Sequence, residues 1–115
     1  MQSAGEHLRI DLRPGPDRVV LGLCGELDLA SAPLLESELE NAVLGPSSTI
    51  VLDLNELGFI DSTGLRTILS AHERARERGG QLLLTGCSEQ VKRLLSIAGV
   101  SERLRTITSP DGLLV

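Results

Sequence analysis

"TIVLDLNELGFIDSTGLRTIL", Thr49 to Leu69, is one unbroken run of chain whose period changes half-way. In its first part Ile50, Leu52 and Leu54 share one side, while Val51 lies with Asp53 on the other. That period of two belongs to a strand. In its second part Leu65, Ile68, Leu69, His72 and Ala75 recur at i, i+3, i+4, i+7 and i+10, the apolar stripe of an amphipathic helix. A strand that feeds straight into a helix needs a sheet beside it and a partner layer above it, so the stretch predicts an α/β fold. The joint between the two parts is "DST", followed by Gly64.

The same alternation of elements extends outward from this run. Upstream, Leu8, Ile10 and Leu12 alternate with His7, Arg9, Asp11 and Arg13, which predicts a strand with one wet face. "RPGPD" (Arg13 to Asp17) turns the chain, and "RVVLGLCG" carries apolar side chains in both phases, as a more buried strand does. The two read as hairpin partners. In "GELDLASAP" Pro33 suits a first helical turn and Ser31 can cap it. Leu35, Leu39, Ala42 and Val43 then form a stripe, Glu36, Glu38 and Glu40 face water, and "GPSS" (Gly45 to Ser48) ends the helix.

Downstream, "ERARERGG" closes the central helix with arginines at its negative end and Gly79 available as a stop. "QLLLTG" reads as a short buried strand. "SEQVKRLLSIAG" reads as a helix capped by Ser88, striped by Val91, Leu94, Leu95 and Ala98, and stopped by Gly99. "LRTIT" is a last strand, "SPDG" a turn, and "LLV" an apolar tail. The predicted order is ββαβαβαβ: a small mixed β-sheet in which the first hairpin adds an antiparallel edge and the helices pack mainly on one face. Residues 1–115 read as one domain, with its core in 8–108 and no internal repeat or linker.

Composition narrows the function. Apolar residues make up 41% and charged residues 23%, which predicts a folded body. Phe59 is the only aromatic residue, so the chain lacks a platform for stacking single-stranded bases. A formal net charge of −5 is the wrong sign for gripping a duplex backbone, so no direct nucleic-acid contact is expected. No apolar run reaches the ~20 residues of a membrane span and "MQSAGEHLRI" lacks a signal-peptide pattern, so a cytoplasmic location is expected. Cys24 and Cys87 fit neither a CxxC nor a zinc spacing and read as reduced thiols.

At the joint, Asp61 and Ser62 both have the plain reading of helix-capping residues, and Thr63 that of a neutral first-turn residue. Gly64 costs up to ~1 kcal/mol of helix propensity against alanine, a cost better tolerated if its missing side chain admits another backbone. Catalysis fits poorly. A nucleophilic serine needs a base; His7 is on the edge strand, and His72 lies along the same helix more than ~12 Å away at 1.5 Å rise per residue. There is no GxSxG elbow, and no GxxxxGK[ST] loop, since Lys92 is the only lysine. Asp53, Asp61, Glu26 and Asp28 stand near strand ends, but no His/Cys spacing supports a metal site there, so neither metal nor cofactor is expected. What remains is a serine that is acted upon. A helix N-terminus stabilises an added phosphate through its free N–H groups and dipole, so Ser62 can carry one without unfolding anything.

"GFIDSTGL" resembles the phosphorylation motif of the bacterial anti-sigma factor antagonists, small proteins made of one STAS domain (sulfate transporter and anti-sigma factor antagonist). "GELDLASAP", "VLDLNELGFIDSTGL" and "LLLTGCSEQVKRLLSIAGV" resemble the family in the same order, over roughly Leu8 to Ile107. The resemblance implies a STAS-like fold and a partner switch without enzymatic activity of its own. The unmodified protein binds an anti-sigma factor, which releases its sigma factor; that anti-sigma factor is also a serine kinase that phosphorylates the antagonist, and a serine phosphatase reverses it. The resemblance places the acceptor at Ser62, with Thr63 the lesser candidate, and the partner-binding surface at Asp28, Asp61, Ser62, Thr63 and Gly64. Two rival readings are a STAS module acting as a scaffold or transporter-associated binding domain without sigma-factor release, and a nucleotide-binding protein using "DSTG" as an anion loop.

Overall fold

The computed structural model describes residues 2–5, 7–100 and 103–107, with only the backbone described for residues 2–4. Its elements are β1 (Gln2–Ala4), β2 (Leu8–Pro14), β3 (Arg18–Leu27), α1 (Ala32–Leu44), β4 (Thr49–Ile60), α2 (Ser62–Glu77), β5 (Gln81–Thr85), α3 (Glu89–Ile97) and β6 (Arg105–Ile107). The strands form one mixed sheet in sequence order, β1-β2-β3-β4-β5-β6. β1, β2 and β3 pair antiparallel, and β3 to β6 pair parallel. The predicted elements and order are all present. β1 is an addition: its three residues, "QSA", are too short for any alternation, so β2 is not the edge strand that the sequence suggested. The expected turn "SPDG" and the tail "LLV" lie outside the described residues.

The alternation read in β4 decides where the core sits. Ile50, Leu52 and Leu54 are buried in one cluster with Leu21 and Leu23 of β3, Leu82 and Leu84 of β5, and the stripes of all three helices. Leu35 and Leu39 come from α1, Leu65, Ile68 and Ala71 from α2, and Val91 and Leu95 from α3. The helices therefore cover one face. Val20, Val51 and Leu83 fall in the opposite phase, stand in register across three strands, and are buried outside that cluster. α1 and α2 lie side by side on the covered face. Among the described residues, no helix is long and apolar enough to cross a membrane.

Two irregularities in the β3–β4 pairing bring the ends of these strands to the site. The register shifts between Gly22 and Cys24 and again between Gly25 and Glu26. Gly25 has φ +113°, and a Cβ there would stand 2.3 Å from the His7 carbonyl oxygen, so only glycine makes this bend without strain. Both cysteines are free thiols, half-buried, and burial pushes the Cys87 thiol up from its ordinary value.

Candidate functional site

The strand–helix joint is built from the ends of β3 and β4 and the first turn of α2. Asp61 is the N-cap of α2: its backbone is extended, and its Oδ1 accepts the Gly64 N–H at 2.9 Å. The Asp61 N–H in turn donates to the Leu27 carbonyl at 3.1 Å, tying the helix start to the end of β3. Ser62 is the first helical residue and is exposed. Since Asp61 does the capping, the Ser62 hydroxyl forms no hydrogen bond among the described residues. Thr63 is half-buried, and its carbonyl accepts the Thr67 hydroxyl at 3.2 Å.

Gly64 is buried, and the space left by its missing side chain is filled from within the chain. A Cβ there would stand 2.6 Å from Leu27 Cγ, 2.9 Å from Leu27 Cδ2 and 3.1 Å from the Leu27 oxygen. The close approach that the sequence suggested is thus to this chain's own β3, and Gly64 shapes the site from underneath.

The next residue after Leu27 is Asp28, so one peptide unit joins the helix start to the β3–α1 loop. Asp28 Oδ1 accepts the Ala30 and Ser31 N–H groups, each at 3.0 Å. The Ser31 hydroxyl accepts the Asp28 N–H at 2.9 Å and donates to the Glu26 carbonyl at 2.8 Å. Ser31 occupies the N-cap position of α1 but makes no side-chain cap, because its hydroxyl is committed to this loop. The Ser31 N–H, foremost, holds the Asp28 carboxyl below its ordinary value, so the loop presents a fixed negative charge beside the joint.

Three features of the site were not singled out from the sequence. Leu29, at the tip of the loop, is 72% exposed, and Phe59, two residues before Asp61, is 40% exposed. Between α1 and α2 runs an open groove of about 330 Å³ lined by Leu29, Pro33, Thr63, Arg66, Thr67 and Arg74. The available signal was Leu29 itself, an apolar side chain in a turn that offers it no stripe to join. The four carboxylates weighed as a metal site do not gather. Asp53 pairs with Arg13 at 3.1 Å and accepts from the Asn55 side chain at 2.8 Å, and no group of three or more potential ligands stands together among the described residues.

Comparison with known proteins places these features in a family context. The STAS domain family profile matches residues 8–111. An anti-sigma-B factor antagonist of Listeria monocytogenes is 33% identical over 86 residues, which is 75% of each chain. The crystal structure of an anti-sigma factor antagonist from Mycobacterium paratuberculosis superimposes with a TM-score of 0.83 at 21% identity, over 97% of this chain and 95% of that one. The Bacillus cell fate determinant SpoIIAA in its phosphorylated form gives 0.72 at 22% identity, over 90% and 96%. At these identities the two structures speak for the shared fold.

Proposed function

Because the chain belongs to the STAS domain family, and within it to the bacterial anti-sigma factor antagonists, we propose that it is a phosphorylation-controlled binding protein whose partner is an anti-sigma factor. In this reading the unmodified surface around Asp28, Asp61, Ser62 and Thr63 docks on the anti-sigma factor and makes it release its sigma factor. The anti-sigma factor is also the serine kinase that modifies Ser62, and a serine phosphatase restores the binding form. The setting is cytoplasmic, with no direct contact to nucleic acid and no chemistry performed by this chain.

The observation that carries the reading is the state of the Ser62 hydroxyl: exposed, on the first residue of α2, and without a hydrogen-bond partner among the described residues. A kinase can take such a hydroxyl without breaking a bond that the fold relies on. The added phosphate meets the positive end of the helix, which stabilises it. It also brings about 1.5 to 2 negative charges to a surface that already carries the Asp28 carboxylate. A like charge ~4 Å away across an interface opposes binding by on the order of 4 kcal/mol at an effective dielectric of about 20, roughly a thousandfold in affinity. Leu29 and Phe59 supply exposed apolar area beside the joint, of the kind a protein partner covers.

The test is phosphate transfer. Incubation with ATP and the cognate anti-sigma factor should place one phosphate on Ser62, read by mass spectrometry of the peptide. Ser62→Ala should take none. Label on Thr63 in place of Ser62, or nucleotide turnover by this chain alone, would refute the assignment.

A further inference from the structure

The open groove between α1 and α2 has two unlike walls. Pro33 and Glu36 stand on the α1 side, with Leu29 from the loop before it; Thr63, Arg66 and Arg74 stand on the α2 side. Arg66 is exposed and Arg74 half-buried, and neither has an ion-pair or hydrogen-bond partner among the described residues. The Arg74 Nε is itself covered, so packing already restrains that side chain. Glu36 is the one carboxylate in the lining, so the groove is locally cationic in a chain of net charge −5. Arg66 and Arg74 are separated by about 12 Å along α2, at 1.5 Å rise per residue.

We propose that this groove receives an acidic amphipathic helix of the anti-sigma factor, its apolar face on Leu29 and Pro33 and two carboxylates, about two turns apart, on Arg66 and Arg74. This assignment rests on the function proposed above and adds the chemistry of the partner to it. A helix laid along a groove between two helices is a common docking mode, and guanidinium groups meet carboxylates in paired hydrogen bonds. A basic segment would set its cations against both arginines, and a wholly apolar one would cover them without a counter-charge. The sign of the switch agrees. Ser62 directly precedes Thr63 of the lining, so a phosphate there adds negative charge beside the groove, and an acidic occupant is the one repelled. Arg66 also follows Ser62 at the i,i+4 spacing where helix side chains meet, so the phosphate draws that guanidinium away from the partner.

Calorimetric titration of the full unmodified chain with its cognate anti-sigma factor tests this, with circular dichroism to confirm that each variant is folded. Arg66→Glu, a change at an exposed position, should weaken binding at least about tenfold, and Arg66→Glu/Arg74→Gln should weaken it further. Glu36→Gln should leave the affinity unchanged or raise it, because it removes a charge of the partner's own sign. Added salt should weaken the parent complex more than that of the double variant. Undiminished binding by folded Arg66→Glu, or a loss at Glu36→Gln, would overturn the groove assignment. So would a dimer of this chain alone that Arg66→Glu dissociates, since the occupant would then be a second copy. Phosphate transfer to Ser62 by saturating anti-sigma factor, read in parallel, separates the two levels. A parent chain that neither binds nor is phosphorylated sinks the proposed function and the groove with it, whereas a parent that does both, with binding unchanged in the variants, sinks the groove alone.

Discussion

Asp61 and Ser62 are neighbours of similar size and polarity, and the hydrogen bonds divide their roles. The Asp61 carboxylate holds the Gly64 N–H and the Asp61 amide holds the Leu27 carbonyl, while the Ser62 hydroxyl holds nothing among the described residues. From the sequence alone either residue can be the cap, because both types accept first-turn N–H groups equally well. Only the backbone's entry angle decides between them. The division predicts unequal costs. Asp61→Ala should lose about 1 kcal/mol of stability, whereas Ser62→Ala should stay within about 0.5 kcal/mol of the parent. Urea unfolding of both variants checks this. A loss at Ser62→Ala as large as at Asp61→Ala would mean that the hydroxyl supports the fold and is not free for modification.

At the scale of the element, α2 carries two constraints that its own sequence shows only as oddities. Gly64 stands out as a glycine in a first turn, but the reason for it belongs to β3, where Leu27 occupies the space of a Cβ. Gly64→Ala should therefore destabilise by about 1–3 kcal/mol through overpacking, although alanine is the better helix former. The measurement is again urea unfolding, and a gain in stability would show that Leu27 yields easily. His72 reads as a stripe residue, and it is one, buried with neither ring nitrogen hydrogen-bonded among the described residues. Its folded pKa lies below the ordinary 6.5, because burial disfavours the charged ring. Stability from this group is thus full above pH ~6.5 and declines as pH falls toward the folded value, where the unfolded chain binds the proton first. His72→Gln should remove that component, so that its urea midpoint falls less than the parent's between pH 7.5 and 5.5. Parallel declines would contradict the burial account.

For the molecule as a whole, the change of period in Thr49 to Leu69 carried the architecture. Strict alternation at Ile50, Leu52 and Leu54 assigned the covered face, and helices between parallel strands left little choice of topology. Two things were not legible. β1 has only three residues, so no pattern announces it, and the loop carrying Leu29 shows its exposure only once the Asp28–Ser31 hydrogen bonds have folded it. Ser62 thus sits on a rigid frame whose core lies elsewhere, in the layer between sheet and helices. A charge added at that point should alter docking while the frame persists. The most direct test is the affinity of the cognate anti-sigma factor for the unmodified protein and for the same protein phosphorylated at Ser62, measured by calorimetry alongside circular dichroism. The account predicts an unchanged spectrum and binding at least about a hundredfold weaker for the phosphorylated form. Equal affinity of the two forms, with the fold intact in both, would contradict it.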